Sequence, residues 1–347
     1  MKTLFYKLLG VGIVAFSLYA GWMWMSVDNF ATTPVDTGEG NAEFTVPSGA
    51  GLNRVAHLLE EEGIISSAKW LRWLARMDGM GAKIHAGEYE IPKGTTAREL
   101  LQLIASGKVK QYSLTIIEGW TFRQMMQVVN AHPKLRHTLV GKTDAQIMAD
   151  LGYAGQHPEG RFLPDTYFFP AGMSDVQFLQ RAYGQLEQVL QRAWAERDPG
   201  LPLKSAYDAL ILASIVEKET AVASERGQIS GVFVRRLQIR MRLQTDPTVI
   251  YGMGELYDGN VRRADLLRDT PYNTYTRYGL PPTPIALPSA AAIMAAVHPE
   301  PGQELYFVAK GDGSHHFSAT IAEHNRAVRQ YQLKRASGYR STPDKGK

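Results

Sequence analysis

A chain of 347 residues, of which 44% are hydrophobic, is long enough for a membrane anchor and about two folded domains. Lysine and arginine exceed aspartate and glutamate by 38 to 34, and no basic run alternates with aromatic residues, which argues against a nucleic-acid partner. Because the chain has no cysteine, it forms no disulfide, thiolate nucleophile or cysteine-type zinc site.

An uncharged run from Leu8 to Val27 follows lysines at positions 2 and 7. Its length is that of a bilayer-spanning helix, about 20 residues. It ends in Trp22-Met23-Trp24-Met25, which is typical of an interfacial aromatic belt. We therefore expect a single-pass membrane anchor. A signal peptide cleaved near Ala20 is the alternative. Lysines before the span and acidic residues after it predict a cytoplasmic N-terminus and an extracytoplasmic body, which is periplasmic if the host has a periplasm.

Three units of a short strand, a glycine turn and an amphipathic helix follow a Pro- and Gly-containing stretch. They begin with Phe44-Thr45-Val46, Tyr89-Glu90-Ile91 and Leu114-Thr115-Ile116, and Ser48, Thr95 and Thr121 are their candidate N-cap residues. The pattern resembles LysM-like modules that bind N-acetylglucosamine polymers. The alternative is an ordinary α+β packing unit that positions the next domain.

The predicted fold class is α+β, with a transmembrane helix, a small LysM-like module and a larger catalytic domain. The predicted divisions are an N-terminus and anchor at 1–27, a linker at 28–42, the repeat module at 43–132, a connecting region at 133–158, the catalytic domain at 159–338 and a disordered basic tail at 339–347.

One stretch, Ala206 to Val216, is too apolar to be a surface helix and leads into Glu217-Lys218-Glu219. The two glutamates lie about 200 degrees apart around the helix axis. Glu219 continues the bulkier apolar stripe, so desolvation should raise its pKa towards that of a general acid. Glu217 is the alternative, and pairing of both glutamates with Lys218, Arg226 or Arg235 is the purely structural interpretation.

Loops rich in proline, aromatic rings and neutral polar groups surround this helix in sequence. One runs from Glu159 to Pro170 and includes Asp165, and two more contain Gln244 to Tyr251 and Tyr272 to Tyr275. Such groups offer neutral hydrogen bonds and flat rings, which suit a sugar polymer better than a phosphate or a metal ion.

Glu219-Thr220, Leu243-Gln244 and Tyr272-Asn273 resemble the motifs of goose-lysozyme-like lytic transglycosylases. More closely, Ser214 to Glu225, Arg242 to Gly254 and Tyr272 to Pro282 resemble the MltG-type (YceG-like) endolytic murein transglycosylases. This resemblance implies a lysozyme-superfamily-like catalytic helix with Glu219 as the catalytic residue. It further implies that Gln244, Asp246, Tyr251, Tyr272, Asn273 and Tyr275 are substrate-binding residues of the cleft. We add Thr245, between two of them, as a candidate for the same role, and Glu217 and Asp165 as candidate orienting carboxylates.

The implied reaction cuts the β-1,4 bond between N-acetylmuramic acid and N-acetylglucosamine inside nascent peptidoglycan strands. It leaves 1,6-anhydro ends and terminates strand elongation, plausibly beside penicillin-binding synthases. Two alternatives stay open: a noncatalytic murein-binding protein that recruits cell-wall synthases, and a muramidase that adds water.

No metal or cofactor is expected. His315 and His316 are adjacent, and neighbouring residues of a strand point to opposite faces, so they do not form a ligand pair. Either His315 or His298 could instead line the cleft.

Overall fold

The computed structural model describes residues 2–333, so the predicted tail at 339–347 lies outside the described residues. Its helices are α1 (Lys2–Thr32), α2 (Leu52–Glu61), α3 (Ala68–Met77), α4 (Ala97–Ser106), α5 (Phe122–Ala131), α6 (Asp144–Asp150), α7 (Asp175–Glu196), α8 (Ala206–Glu219), α9 (Arg226–Gln238), α10 (Asp246–Met253), α11 (Arg263–Leu267), α12 (Ala290–Val297) and α13 (Ile321–Val328). Its strands are β1 (Ala42–Val46), β2 (Gly87–Ile91), β3 (Gln111–Thr115), β4 (Thr166–Pro170), β5 (Tyr306–Ala309) and β6 (His315–Ser318).

Within the described residues the strands pair as three two-stranded sheets, β1 with β2, β3 with β4 and β5 with β6. The chain divides into two compact units: one holds residues 1–112 and 168–172, and the other holds 113–167 and 173–347. The predicted α+β class is confirmed. The first unit ends at Tyr112 rather than at residue 132, because the third strand–turn–helix segment continues into the second unit as α5.

The first unit is built on an antiparallel pair in which Ala42 lies opposite Ile91 and Val46 opposite Gly87. Phe44 and Tyr89 point from this pair into the core and are almost fully buried. The order β1, α2, α3, β2 then continues into α4, and helices α2, α3 and α4 cover the same core.

Helix α1 has an exposed apolar surface and a buried end. Residues from Leu4 onward form the stretch of mean hydropathy 1.6 that is long enough to cross a membrane. The helix continues to Thr32, beyond the predicted start of the linker at residue 28. Val27, Phe30 and Ala31 in its last turns are buried in the core of the first unit, which explains why the helix persists there.

Helix starts follow local capping chemistry. Thr121 caps α5 as predicted, with its hydroxyl accepting the Gln124 N–H and the Gln124 side chain accepting the Thr121 N–H. The cap of α4 is Thr96, one residue after the predicted Thr95. Helix α2 begins only after Gly51, so Ser48 is not its cap.

The second unit is organised around α8. Eight consecutive residues, from Ala209 to Val216, are buried, because α7, α9, α10 and α12 pack on different sides of the helix. A helix that is apolar all round is buried, as expected. Thr220 adopts an extended conformation and ends the helix immediately after Glu219, so both glutamates lie in its last turn.

Gly160 shows how closely the loop before β4 approaches the centre of this unit. Its φ is +76°, and a Cβ atom there would lie 2.4 Å from Cβ of Pro284. Only glycine fits both the left-handed backbone and this contact. The close approach holds the loop between Glu159 and Asp165 against the segment that leads to α12.

Candidate active site

The carboxyl group of Glu219 is partly buried at the end of α8 and lines a cavity of about 620 Å³. The Thr245 hydroxyl donates a hydrogen bond to Glu219 Oε1. Burial raises the pKa of Glu219 to about 7, an effect opposed by the Thr245 hydrogen bond, increased by the charge of Asp246 and opposed by that of Arg236. With this pKa about half of the carboxyl groups hold their proton at neutral pH, far more than for an ordinary glutamate, which suits a general acid.

Glu217 is held by a different set of partners. Its Oε2 accepts the backbone N–H of Ser289 at 3.0 Å and the Ser289 hydroxyl at 2.5 Å. Its Oε1 lies 3.6 Å from the Arg226 guanidinium. Ser289 is the N-cap of α12, so Glu217 ties the start of that helix to the end of α8. This network supports the positioning role predicted for Glu217 and leaves Glu219 as the less engaged carboxyl group.

Charged side chains from separate parts of the second unit line the cavity. Three of its carboxylates were predicted from the sequence, namely Glu219, Glu217 and Asp165. Glu118, Lys218 and Arg226 also line it, and the sequence did not identify them as site residues. Of the two histidines considered for the cleft, His315 is the one in the lining. The remaining lining residues are Thr115, Ile116, Ile117, Gly119, Pro164, Thr166, Thr220, Ala221 and Gly313.

Arg226 organises one end of the cavity. Its guanidinium lies 3.7 Å from Glu118 and 3.6 Å from Glu217. Burial and the nearby Glu217 charge raise the pKa of Glu118, whereas Arg226 opposes that rise. The proximity of Glu118 to α8 was not visible in the sequence because the two are about a hundred residues apart.

The segment before α10 reaches Glu219 from another side. Thr245 is buried, and its N–H donates to the Thr274 hydroxyl at 3.1 Å. Gln244 adopts φ of +50°, an uncommon conformation for a residue other than glycine, and its side chain is exposed. Strained backbone of this kind persists only where the surroundings fix it. Here the Gln244 N–H donates to the carbonyl of Thr274 at 3.2 Å.

Asn273 supports the loop rather than facing the cavity. It is buried, and its side-chain nitrogen donates to the carbonyl oxygens of Asp265, Leu266 and Arg268. Its side-chain oxygen accepts the Tyr275 N–H at 2.8 Å. The amide is therefore engaged with backbone groups of its own loop, and its contact with substrate stays a prediction. A sequence motif does not reveal which way an amide points.

The predicted tyrosines are anchored by hydrogen bonds. The Tyr275 hydroxyl donates to Asp246 at 2.5 Å, and the Tyr272 hydroxyl pairs with Thr283 at 2.8 Å. The rings of Tyr251 and Tyr272 meet edge to face with centroids 4.9 Å apart. None of these tyrosines lines the cavity around Glu219. Among the predicted substrate-binding residues, Thr245 is the one whose side chain forms a hydrogen bond with Glu219 in the described part of the chain.

Glu159 is a second carboxyl group with a strongly raised pKa. It accepts the Phe122 N–H at the start of α5 at 2.9 Å and the Tyr251 hydroxyl at 3.1 Å. Burial raises its pKa to about 7 despite these hydrogen bonds. Glu159 does not line the cavity, so its arrangement indicates a support for α5 and α10.

Within residues 4–332, no group of three or more histidine or acidic side chains is arranged to hold a metal ion. His315 lies against Glu225, with 2.7 Å between Nδ1 and the carboxylate.

Known proteins provide an independent comparison with this arrangement. Residues 44–330 match the YceG-like family. The endolytic murein transglycosylase of Bacillus subtilis (strain 168) is 30% identical over 304 residues, which cover 82% of this chain and 83% of that protein. A protein of the same name from Streptococcus pneumoniae (strain R6) is 26% identical over 322 residues, and the match spans only 57% of its length.

Among solved structures, that of a yceG-like protein from Listeria monocytogenes resembles this one with a TM-score of 0.51 and 29% identity. The match covers 82% of this chain and 98% of the Listeria chain. The family match includes α8 and every residue that contacts the cavity around Glu219. On the extent of these matches, the chain belongs to the YceG-like family.

Proposed function

We propose that this protein is an endolytic murein transglycosylase. It cleaves the β-1,4 bond between N-acetylmuramic acid and N-acetylglucosamine inside peptidoglycan strands and leaves 1,6-anhydro ends. In this way it ends the elongation of nascent strands. The names of the Bacillus and Streptococcus relatives support this proposal.

The position of the Glu219 carboxyl group, at the end of a buried helix and in the lining of the cavity, is the observation that carries the proposal. The group faces a cavity large enough for sugar residues and has a pKa of about 7. In the proposed reaction it donates its proton to the glycosidic oxygen as the bond to the anomeric carbon breaks. The C6 hydroxyl of the same muramic acid then attacks that carbon and gives its proton to a base, the ionised Glu219 in the single-carboxylate mechanism, and the 1,6-anhydro ring closes. Attack within one molecule needs no bound water, because the nucleophile is already in place.

Polar groups on the segment that carries Thr245, and on the loop that contacts it, suit a glycan that extends beyond the cavity around Glu219. The Gln244 side chain is exposed and takes the role of holding hydroxyl or N-acetyl groups. Asp246 and Tyr275 form an exposed pair that offers further contacts to sugars. We assign Asn273, Tyr272 and Tyr251 to holding the loops that carry these groups.

A hydrolytic muramidase is the second candidate, because the same cavity contains Asp165. This carboxylate is exposed, and its Oδ1 accepts only the N–H of Thr166 among the hydrogen bonds of the described residues. A second carboxylate near the acid is what a glycosidase uses to activate water or to attack the sugar. For the transglycosylase we assign Asp165 an orienting role instead.

Mass spectrometry of products from purified peptidoglycan separates these functions. A transglycosylase gives anhydro ends, a muramidase gives reducing ends, and a noncatalytic murein-binding protein gives no products. We expect anhydro ends from the wild type and from Asp165→Asn, and a loss of about 100-fold or more in rate from Glu219→Gln. If the folded Glu219→Gln variant still released anhydro fragments at the wild-type rate, the role of Glu219 would be disproved.

The setting of the reaction is part of the proposal. We propose that α1 anchors the protein in the inner membrane with its N-terminus in the cytoplasm and the body in the periplasm. The proposal further takes the β1–α2–α3–β2 segment as a LysM-like module that contacts glycan. The order of elements and the antiparallel pairing of β1 and β2 support this assignment.

A further inference from the structure

A histidine and a buried glutamate form a second polar pair at the cavity. Glu225 is only 8% exposed, and its Oε1 accepts the backbone N–H of His315 at 2.8 Å. Its Oε2 lies 2.7 Å from Nδ1 of His315. The hydroxyl of Thr220, the residue after Glu219, donates to the same Oε2 at 3.4 Å. Glu225 therefore connects the end of α8 to the start of β6.

This pairing fixes the tautomer of the imidazole. An ionised carboxylate only accepts hydrogen bonds, so the proton of neutral His315 lies on Nδ1. Its Nε2 then carries a lone pair. Within residues 4–332, Nε2 has no hydrogen-bond partner, and His315 lines the cavity with 9% of its side chain exposed. Because Nε2 is unpartnered, it can accept a hydrogen bond from a bound molecule that reaches it. A carboxylate that orients a histidine in this way is a recurring arrangement for a base.

In a mechanism with one carboxyl group, Glu219 serves two proton transfers in turn: it protonates the departing oxygen and, once ionised, deprotonates the C6 hydroxyl. Its Oε1 also accepts the Thr245 hydroxyl. The same carboxyl group must then reach both the glycosidic oxygen and the C6 hydroxyl. A second base on another wall of the cavity removes that requirement.

We propose that His315 is this second base, oriented by Glu225, and the proposal rests on the transglycosylase reaction described above. Glu219 donates its proton to the glycosidic oxygen as the C1–O4 bond breaks. Nε2 of His315 accepts the proton of the C6 hydroxyl as the C1–O6 bond forms. One proton leaves Glu219 and one arrives at His315, so the substrate neither gains nor loses protons. Exchange with solvent then restores both groups.

The chain contains a matched control. His298 also pairs through Nδ1 with a carboxylate, Asp198, at 2.7 Å, but it is absent from the cavity lining. Replacing it tests the effect of losing a histidine–carboxylate pair of the same geometry. We expect His298→Ala to change kcat by less than about twofold, since that pair does not touch the reaction.

The experiment compares His315→Ala, Glu225→Gln and His298→Ala on purified glycan strands. We expect His315→Ala to lower kcat by about 100-fold with little change in KM, and added imidazole to restore part of the rate. Glu225→Gln should lower kcat less, and the double variant should be no slower than His315→Ala, because Glu225 acts through the histidine. Circular dichroism and the thermal midpoint confirm that each variant is folded.

Two results would overturn the proposal. One is a folded His315→Ala variant with wild-type kcat. The other is a folded variant whose lost rate imidazole does not restore, which would mean that the pair is only structural. Neither result affects the transglycosylase assignment, which depends on anhydro ends from the wild type and their loss in Glu219→Gln.

Discussion

The carboxyl group of Glu219 lies where two effects act in the same direction. Burial favours the neutral acid, and the carbonyl end of α8 disfavours a negative charge. An acid catalyst works only while it holds its proton. We therefore predict that kcat falls as pH rises through about 7, the pKa of Glu219. A pH–rate profile on defined glycan strands checks this, and a rate that climbed through the same range would contradict it.

The Thr245 hydroxyl offers a way to move that pKa. Its hydrogen bond lowers the pKa of Glu219, so removing the donor should raise it. A hydrogen bond with a net value of about 1 kcal/mol corresponds to roughly one pH unit. Thr245→Val should shift the fall in kcat upward by about that amount. Thr245→Ser keeps the hydroxyl and should leave the profile in place; equal profiles for both variants would rule out the hydrogen bond as the cause.

Glu159 makes stability, rather than catalysis, depend on pH. Its pKa rises from 4.5 in the unfolded chain to about 7 when buried. The folded form thus binds a proton more tightly than the unfolded form, and stability is lost as pH rises between these values. For one such group the loss between pH 5 and pH 8 is about 2 kcal/mol.

The variant Glu159→Gln isolates this effect, because it keeps an acceptor for the Phe122 N–H but cannot ionise. We predict that its free energy of unfolding falls less than that of the wild type between pH 5 and pH 8. The difference should be about 2 kcal/mol, measured by denaturant unfolding at both pH values. The same slope in both proteins would mean that Glu159 does not titrate on folding.

Individual residues also show which parts of the site could be predicted from the sequence. Glu219 was found because the largely apolar run from Ala206 to Val216 precedes the acidic pair on one helix, and helical rotation separates the two glutamates. Its partner Thr245 lies 26 residues further on and contacts it only through the packing of α10 on α8. The pairing of Glu225 with His315 spans 90 residues. Such contacts depend on tertiary packing, which no local pattern encodes.

At the scale of elements, helix α1 combines two environments along one axis. Its first part is apolar and exposed, whereas Val27, Phe30 and Ala31 enter the core of the first unit. The sequence predicted a short linker at 28–42 because threonine, proline, glycine and acidic residues predominate there. At its start lie the polar residues Asp28, Asn29, Thr32 and Thr33. Those side chains are exposed, and the apolar ones between them are buried, so the helix ends inside the folded unit.

This arrangement predicts that the end of α1 contributes to the stability of the first unit. Phe30→Ala should destabilise it by about 3 kcal/mol, the usual cost of removing a buried aromatic side chain. Asn29→Ala, at an exposed neighbouring position, should change it by less than about 0.5 kcal/mol. Hydrogen exchange of the backbone amides of β1 and β2, measured on the full chain in detergent, reports the stability of the first unit separately from that of the second. Equal protection in the two variants would show that α1 ends outside the unit's cooperative core.

At the scale of the whole molecule, α1 determines on which side of the membrane the proposed chemistry occurs. Peptidoglycan lies outside the cytoplasmic membrane, so a transglycosylase must have its second unit there. The lysines at positions 2 and 7 precede the apolar stretch, and acidic residues such as Asp36 and Glu39 follow it. A positive flank is retained in the cytoplasm. Sequence charge and proposed activity thus require the same orientation.

The absence of cysteine from the whole chain allows this orientation to be tested directly. A single cysteine at exposed Lys204 should react with a membrane-impermeant maleimide in cells whose outer layer is permeable but whose inner membrane is intact. A cysteine at Thr3 should react only after the inner membrane is opened, and Thr3→Cys leaves both lysines in place. The reverse pattern would put the second unit in the cytoplasm, away from peptidoglycan, and would contradict both the orientation and the proposed function.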